Sequence, residues 1–138
     1  MISRAILLST LFATLTHSAE KRPNIFIAIS DDQSWLHASA YGSKMVQSPN
    51  FDRVAKEGVL FTQAFCASPG CSPSRAALLT GLNTWQLEHA GTHASYFDPK
   101  YVTFPEQLAK SGYFVGHCGK GWGPSDLKKF ARKQHTTG

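Results

Sequence analysis

The sequence is 138 residues long, with 14 Lys and Arg against 9 Asp and Glu, a formal net charge of +5, and 42% hydrophobic and 12% aromatic residues. This composition excludes a wholly disordered chain, and the length leaves no room for two large domains. A single hydrophobic core is the expectation.

Residues 1–19 hold one basic residue, Arg4, no acid, and an apolar run from Ala5 to Leu15. A basic start, an apolar run of about 11 residues and a small-residue end at Ser18-Ala19 fit a secretory signal peptide, because a spanning helix needs about 20 residues. Cleavage after Ser18 places Thr16 at the minus-three position and suits the small-x-small rule better than cleavage after Ala19, which places His17 there. An uncleaved N-terminal anchor is the alternative. Removing Arg4 with the signal lowers the net charge from +5 to +4, and no other segment is apolar enough to span a bilayer. The protein is therefore expected to be exported, to a periplasmic, extracellular or lysosome-like compartment.

Residues 24–30, Asn-Ile-Phe-Ile-Ala-Ile-Ser, form a β-branched and aromatic run without polar alternation, as in a strand buried on both faces. Asp31 and Asp32 follow at its end, where open α/β sheets gather their ligands. Ser48-Pro49 opens a helix over Asn50 to Glu57, with Phe51, Val54 and Ala55 on one face and Gly58 at the stop. Val59 to Phe65 reads as a second strand. Pro69-Gly70 then breaks the chain before Cys71, and Ser74 to Leu79 is helical in composition and closed by Gly81.

Further on, Phe104 to Lys110 reads as a helix stopped by Gly112, and Tyr113 to Cys118 as a third strand. Strand and helix alternate, which argues for an α/β fold: a mainly parallel sheet flanked by helices. Near the C-terminus Lys128, Lys129, Arg132 and Lys133 form a basic tail. It has no aromatic interleaving and no nucleic-acid fold signature beside it, so a solvated end is expected rather than a nucleic-acid site. The cysteines, Cys66, Cys71 and Cys118, are 3 in number, so at least one is unpaired within the chain or chemically altered.

The stretch from Cys71 to Gly81, Cys-Ser-Pro-Ser-Arg-Ala-Ala-Leu-Leu-Thr-Gly, closely resembles the sulfatase family, whose motif reads Cys-x-Pro-Ser-Arg with a Leu-Thr-Gly ending. The resemblance extends to Arg22-Pro23-Asn24-Ile25 through Asp31-Asp32, to Ser48-Pro49-Asn50-Phe51-Asp52-Arg53, and to Gly112-Tyr113 and Gly119-Lys120. It covers residues 22 to about 126 and implies an alkaline-phosphatase-like fold. It also implies that a formylglycine-generating enzyme converts Cys71 to Cα-formylglycine.

What the resemblance implies makes chemical sense. A thiol attacks a sulfate ester poorly, whereas a hydrated aldehyde offers one hydroxyl to attack sulfur and a second to collapse and eject sulfate. Asp31, Asp32 and the oxidised Cys71 then suit a hard divalent cation, Ca²⁺ first and Mg²⁺ as the alternative. Arg75 lies one helical turn after Cys71 and can reach the reactive group or a sulfate oxygen. Lys120 adds charge from a strand end, and the helix N-terminus near Ser72 points N–H groups at an anion. Cys71, Arg75 and Lys120 are thus the expected catalytic residues.

Each residue has a plainer reading. Asp31 and Asp32 could be loop acids, Lys120 a solvated charge, Arg75 an exposed helix residue, and Cys71 a buried thiol or a disulfide partner of Cys66 or Cys118. The motif outweighs these readings. His89 and His93 could share a helix face, but Gly91 separates them and further zinc ligands are missing. His93 is a candidate pocket residue and His117 a packed one, while Trp35, Trp85 and Trp122 are core or pocket wall.

Many sulfatases read Gly-Lys-Trp-His where this chain has Gly119-Lys120-Gly121-Trp122-Gly123-Pro124. Trp122 takes the histidine's place, and the Gly-Pro ending resembles heparan N-sulfatase-like members. A full sulfatase is several times longer, and calcium takes about six to eight oxygens, so the expectation is the N-terminal, nucleophile-bearing part of a hydrolase of sulfate esters or N-sulfated sugars, inactive by itself. The substrate class is a sulfated small molecule or glycan. The alternatives are a phosphate or phosphonate ester hydrolase of the same superfamily and a non-catalytic exported remnant.

Overall fold

The computed structural model describes residues 22–123. The expected signal over residues 1–19 and the basic tail at Lys128, Lys129, Arg132 and Lys133 lie outside the described residues. Three α-helices are present within them: α1, Pro49–Glu57; α2, Cys71–Thr80; and α3, Phe104–Lys110. Short 3-10 turns occupy Trp35–His37, Ser39–Tyr41, Thr84–Gln86 and Glu88–Gly91. No described helix is long and apolar enough to cross a membrane.

Local chemistry sets the helix ends. Pro49 starts α1, where its missing N–H costs nothing. Asp52 accepts hydrogen bonds from the Ser39 hydroxyl at 2.6 Å and the Ser48 hydroxyl at 3.1 Å. That network ties α1 to the Ser39–Tyr41 turn. α2 begins three residues earlier than the composition suggests, because Pro73 falls in its first turn, where proline is tolerated. It ends at Gly81, left-handed at φ 71°, whose N–H donates to the Ala77 carbonyl at 2.8 Å. The Thr103 N–H at the start of α3 donates to the Glu106 carboxylate at 2.7 Å, as a capping box requires.

The core is small and lies on the inner face of α2. Ala76, Ala77 and Leu79 meet Leu87, Ala90, Phe97 and Trp122, with Leu82, Tyr101 and Phe104 partly buried around them. The Phe97 and Trp122 rings lie 5.2 Å apart. Gly91 admits α2's neighbouring turns into close contact, since a Cβ there would sit 2.2 Å from the Thr84 carbonyl oxygen.

The strands expected at Asn24–Ser30, Val59–Phe65 and Tyr113–Cys118 carry no ladder: no described residue is in a strand. Most of their β-prone side chains are uncovered, with Ile25, Phe26 and Ile27 exposed together and Phe114 96% exposed, while Leu60, Tyr113 and Val115 are half-buried. A strand is made by its partner's hydrogen bonds as much as by its own residues. The order is nevertheless partly there. Arg22 donates to the Ser111 carbonyl and lies 5.6 Å over the Tyr113 ring, while Asp31 meets Lys120 at the other end. Segments 22–31 and 111–120 therefore run in the same sense. They flank an open cavity of about 910 Å³ whose floor includes Leu78, Leu79 and Leu108.

The exposure also corrects one expectation and adds detail to another. His117 is exposed on the cavity wall rather than packed, because its segment has no covering layer among the described residues. Phe51 and Val54 of α1 are 43% and 63% exposed, so that face is covered only in part, by Tyr41, whose ring lies 6.0 Å from Phe51.

Candidate active site

Pro69-Gly70 turns the chain into α2, so Cys71 is the first residue of the helix and is half-buried. None of the three thiols is disulfide-bonded. Ser72 beside it is fully buried, and its hydroxyl accepts the Ala94 N–H at 3.4 Å. Arg75, a turn after Cys71, reaches across to two other segments. Its Nη1 donates to the carbonyls of Lys120 at 2.8 Å and Gly121 at 3.2 Å, and its Nη2 to the Asp31 carboxylate at 3.3 Å.

Lys120 donates to the other oxygen of Asp31. One carboxylate is thus held by two cations, and the titration behaviour follows. The hydrogen bond from Lys120, with Arg75 adding to it, holds the Asp31 carboxyl below the usual carboxylate range. The same bond raises the Lys120 ammonium above its ordinary value, with a smaller favourable contribution from Cys71. Asp31, Arg75 and Lys120, separated by 44 and 45 residues in sequence, form one cluster, with Arg75 on the same helix as Cys71 and one turn after it. Two cations on the side of the cluster that faces the start of α2 suit an oxyanion, while the two acids balance them.

Asp32 is exposed and its backbone is left-handed at φ 51°, a conformation an aspartate adopts more readily than most residues. Two adjacent carboxylates are hard oxygen donors of the type a divalent cation takes. In number they fall short, since no group of three or more His, Cys, Asp or Glu side chains converges among the described residues. The two carboxylates fit such an ion by donor type, and an ion held there would need further oxygens.

Other candidates separate from the cluster. The Glu88–Gly91 turn ends before His93, so His89 and His93 share no helix face, and the His89 ring lies 4.1 Å from that of Tyr96. His93 does not line the cavity beside Asp31. Trp35 and Trp85 are surface residues and Trp122 is core. Sequence reasoning did not find the Lys120 and Gly121 carbonyls or the buried Ser72, because a backbone acceptor carries no residue signature.

A half-buried cysteine at a helix start, an arginine one turn on and a lysine from a separate segment stand where the sequence motif places them. The sulfatase family model matches residues 23–132, and the chain belongs to that family, within the alkaline-phosphatase-like superfamily. It is 39% identical over 101 residues to an N-acetylglucosamine-6-O-sulfatase of Bacteroides thetaiotaomicron, covering 72% of this chain and 18% of that protein. It is 38% identical over 114 residues to the N-acetylgalactosamine-6-sulfatase of Homo sapiens, covering 74% and 22%. An ulvan-active sulfatase of Formosa agariphila is 39% identical over 104 residues, covering 72% and 20%. The chain therefore spans about a fifth of the length of these relatives. No solved structure gives a significant match.

Proposed function

We propose that this chain carries the nucleophile-bearing part of an exported sulfuric ester hydrolase acting on sulfated glycans, with 6-sulfated N-acetylhexosamines as the first substrates to test. The observation that carries the reading is the convergence of Arg75 and Lys120 beside Cys71 at the start of α2. The names of the relatives support the substrate class, and they favour an O-sulfate over an N-sulfate. The 22–31 and 111–120 segments, running in the same sense, support a mainly parallel sheet in the complete domain.

Converted to formylglycine by a formylglycine-generating enzyme and hydrated, Cys71 would supply a geminal diol: one hydroxyl attacks sulfur and expels the ester alcohol, the second loses its proton as the C–O bond to sulfate breaks and the aldehyde re-forms, and a bound divalent cation would favour the ionised hydroxyl. The chain's own residues do the rest. Asp31 and Asp32 would hold the cation. Arg75, whose Nη1 is held by two carbonyls and whose Nη2 meets Asp31, keeps a fixed positive charge at the site that would stabilise a nearby sulfate oxygen electrostatically. Lys120, kept protonated by its surroundings, neutralises charge on the departing group, and the α2 N–H groups face the same anion.

The test is turnover of N-acetylglucosamine-6-sulfate and of matched aryl sulfate and aryl phosphate esters by the full-length protein, co-expressed with a formylglycine-generating enzyme. Sulfate release well above phosphate release is expected. Preference for the phosphate ester would point instead to the phosphate or phosphonate branch of the superfamily.

A further inference from the structure

We propose that Trp122 is a positioning residue for this site: its buried ring fixes the Lys120 and Gly121 carbonyls, which in turn fix the Arg75 guanidinium. The run Gly119-Lys120-Gly121-Trp122-Gly123 has a glycine at every second position, and Gly119 is left-handed at φ 83°. Glycine backbone selects no path of its own. Lys120 is substantially exposed at its side chain, so Trp122, 1% exposed, is the large side chain that seats this run in the core.

Its seat is shared with the helix it serves. Trp122 packs 5.2 Å from Phe97 in the cluster that includes Ala76 and Ala77 of α2, and Arg75 leaves the same helix to reach the carbonyls just before Trp122. Two contacts thus close a loop, ring to core and guanidinium to carbonyl. Arg75, with its side chain 12% exposed, points where that loop leaves it. The indole N–H is buried and has no hydrogen-bond partner among the described residues. The ring area, not the N–H, is what the position uses.

The catalytic consequence rests on the sulfate-ester reading above; the positioning does not, and the experiment separates them. Phenylglyoxal, which modifies free guanidinium groups, is applied to the whole chain at low concentration and each arginine is followed by peptide mass spectrometry. Circular dichroism monitors folding, and exposed Arg53 serves as the internal reference. In the wild-type protein Arg75 should react about tenfold more slowly than Arg53, as a guanidinium held by charge-assisted bonds does.

Trp122→Phe should keep that protection and Trp122→Ala should abolish it, bringing Arg75 to within about twofold of Arg53. If Trp122→Ala does not fold, Phe97→Leu, which withdraws the ring's partner, should give the same deprotection. An Arg75 that reacts freely in the wild type, or stays protected in a folded Trp122→Ala or Phe97→Leu protein, overturns the proposal. Sulfate-ester turnover is read separately, on the full-length protein co-expressed with a formylglycine-generating enzyme: its absence there with the protection pattern intact counts against the hydrolase reading alone.

Discussion

Arg75 and Asp31, 44 residues apart in the chain, meet at 3.3 Å and join the first turns of α2 to the end of segment 22–31. Lys120 completes the contact from the end of segment 111–120. The acid is thus the meeting point of three stretches that the sequence keeps far apart, and its removal should be felt by all of them.

Asp31→Asn keeps the shape but removes the charge that draws Lys120 and Arg75 together, and Asp32→Asn removes the second hard donor. In the full-length protein each should weaken calcium binding by about tenfold or more and lower sulfate-ester turnover in parallel. Isothermal titration calorimetry reads the first effect and a coupled sulfate assay the second. Unchanged calcium affinity in both variants would take these acids out of the metal site.

Arg75→Lys is not a conservative change here. The guanidinium serves two carbonyls and one carboxylate from a single planar group, and a point-charged ammonium cannot span all three. Turnover should fall by about a hundredfold, with Arg75→Ala little worse, because the geometry rather than the charge is lost. Near-full activity in Arg75→Lys would show that charge alone suffices.

The three helices were legible because their signals are local. A proline start at Pro49 and glycine stops at Gly58 and Gly81 act within one turn. The strand expectations rested on composition, and composition cannot supply the neighbour that a ladder needs, which is why Phe26 and Phe114 stand exposed. At the site, the motif and charge single out Cys71, Arg75 and Lys120, and the structure brings Arg75 and Lys120 together on Asp31. Trp122 was left open between core and pocket wall, since its seat against Phe97 depends on a contact 25 positions away by residue number.

Gly91 offers a test of packing that is independent of chemistry. A Cβ at this position would lie 2.2 Å from the Thr84 carbonyl oxygen, which is backbone and cannot swing aside. Gly91→Ala should therefore destabilise the α2 core by about 2–4 kcal/mol, a large effect for one methyl group. Thermal unfolding followed by circular dichroism measures it, and an unaltered melting temperature would mean that the two turns separate at little cost.

Cys71 should be converted when the protein is co-expressed with a formylglycine-generating enzyme. It sits half-buried at the helix start, free of any disulfide, with Pro73 and Arg75 in the positions the family motif sets. Tryptic peptides should lose the mass of the thiol and react with an aldehyde probe, and Cys71→Ala should abolish both probe reactivity and turnover. Peptides that retain only intact cysteine would count against the modification.

The 138-residue chain purified by itself should self-associate and show no sulfatase turnover, even with Cys71 converted and calcium supplied. Phe26, Phe65 and Phe114 are each at least 90% exposed, and Ile25, Ile27 and Val59 extend the uncovered apolar surface. Exposed apolar surface of that extent favours association, and β-prone segments without ladder partners are ready templates for pairing between chains. Inactivity has a separate cause. Asp31 and Asp32 provide two carboxylates where a calcium ion takes about six to eight oxygens, so the ion would be held largely by water and would polarise the nucleophile weakly. Light scattering together with an aryl sulfate assay separates the two claims: replacing Phe26 and Phe114 with serine should restore a monomer without restoring turnover. Calcium-dependent turnover by a monodisperse chain of this length would show that Cys71, Arg75, Lys120 and the two acids suffice for catalysis.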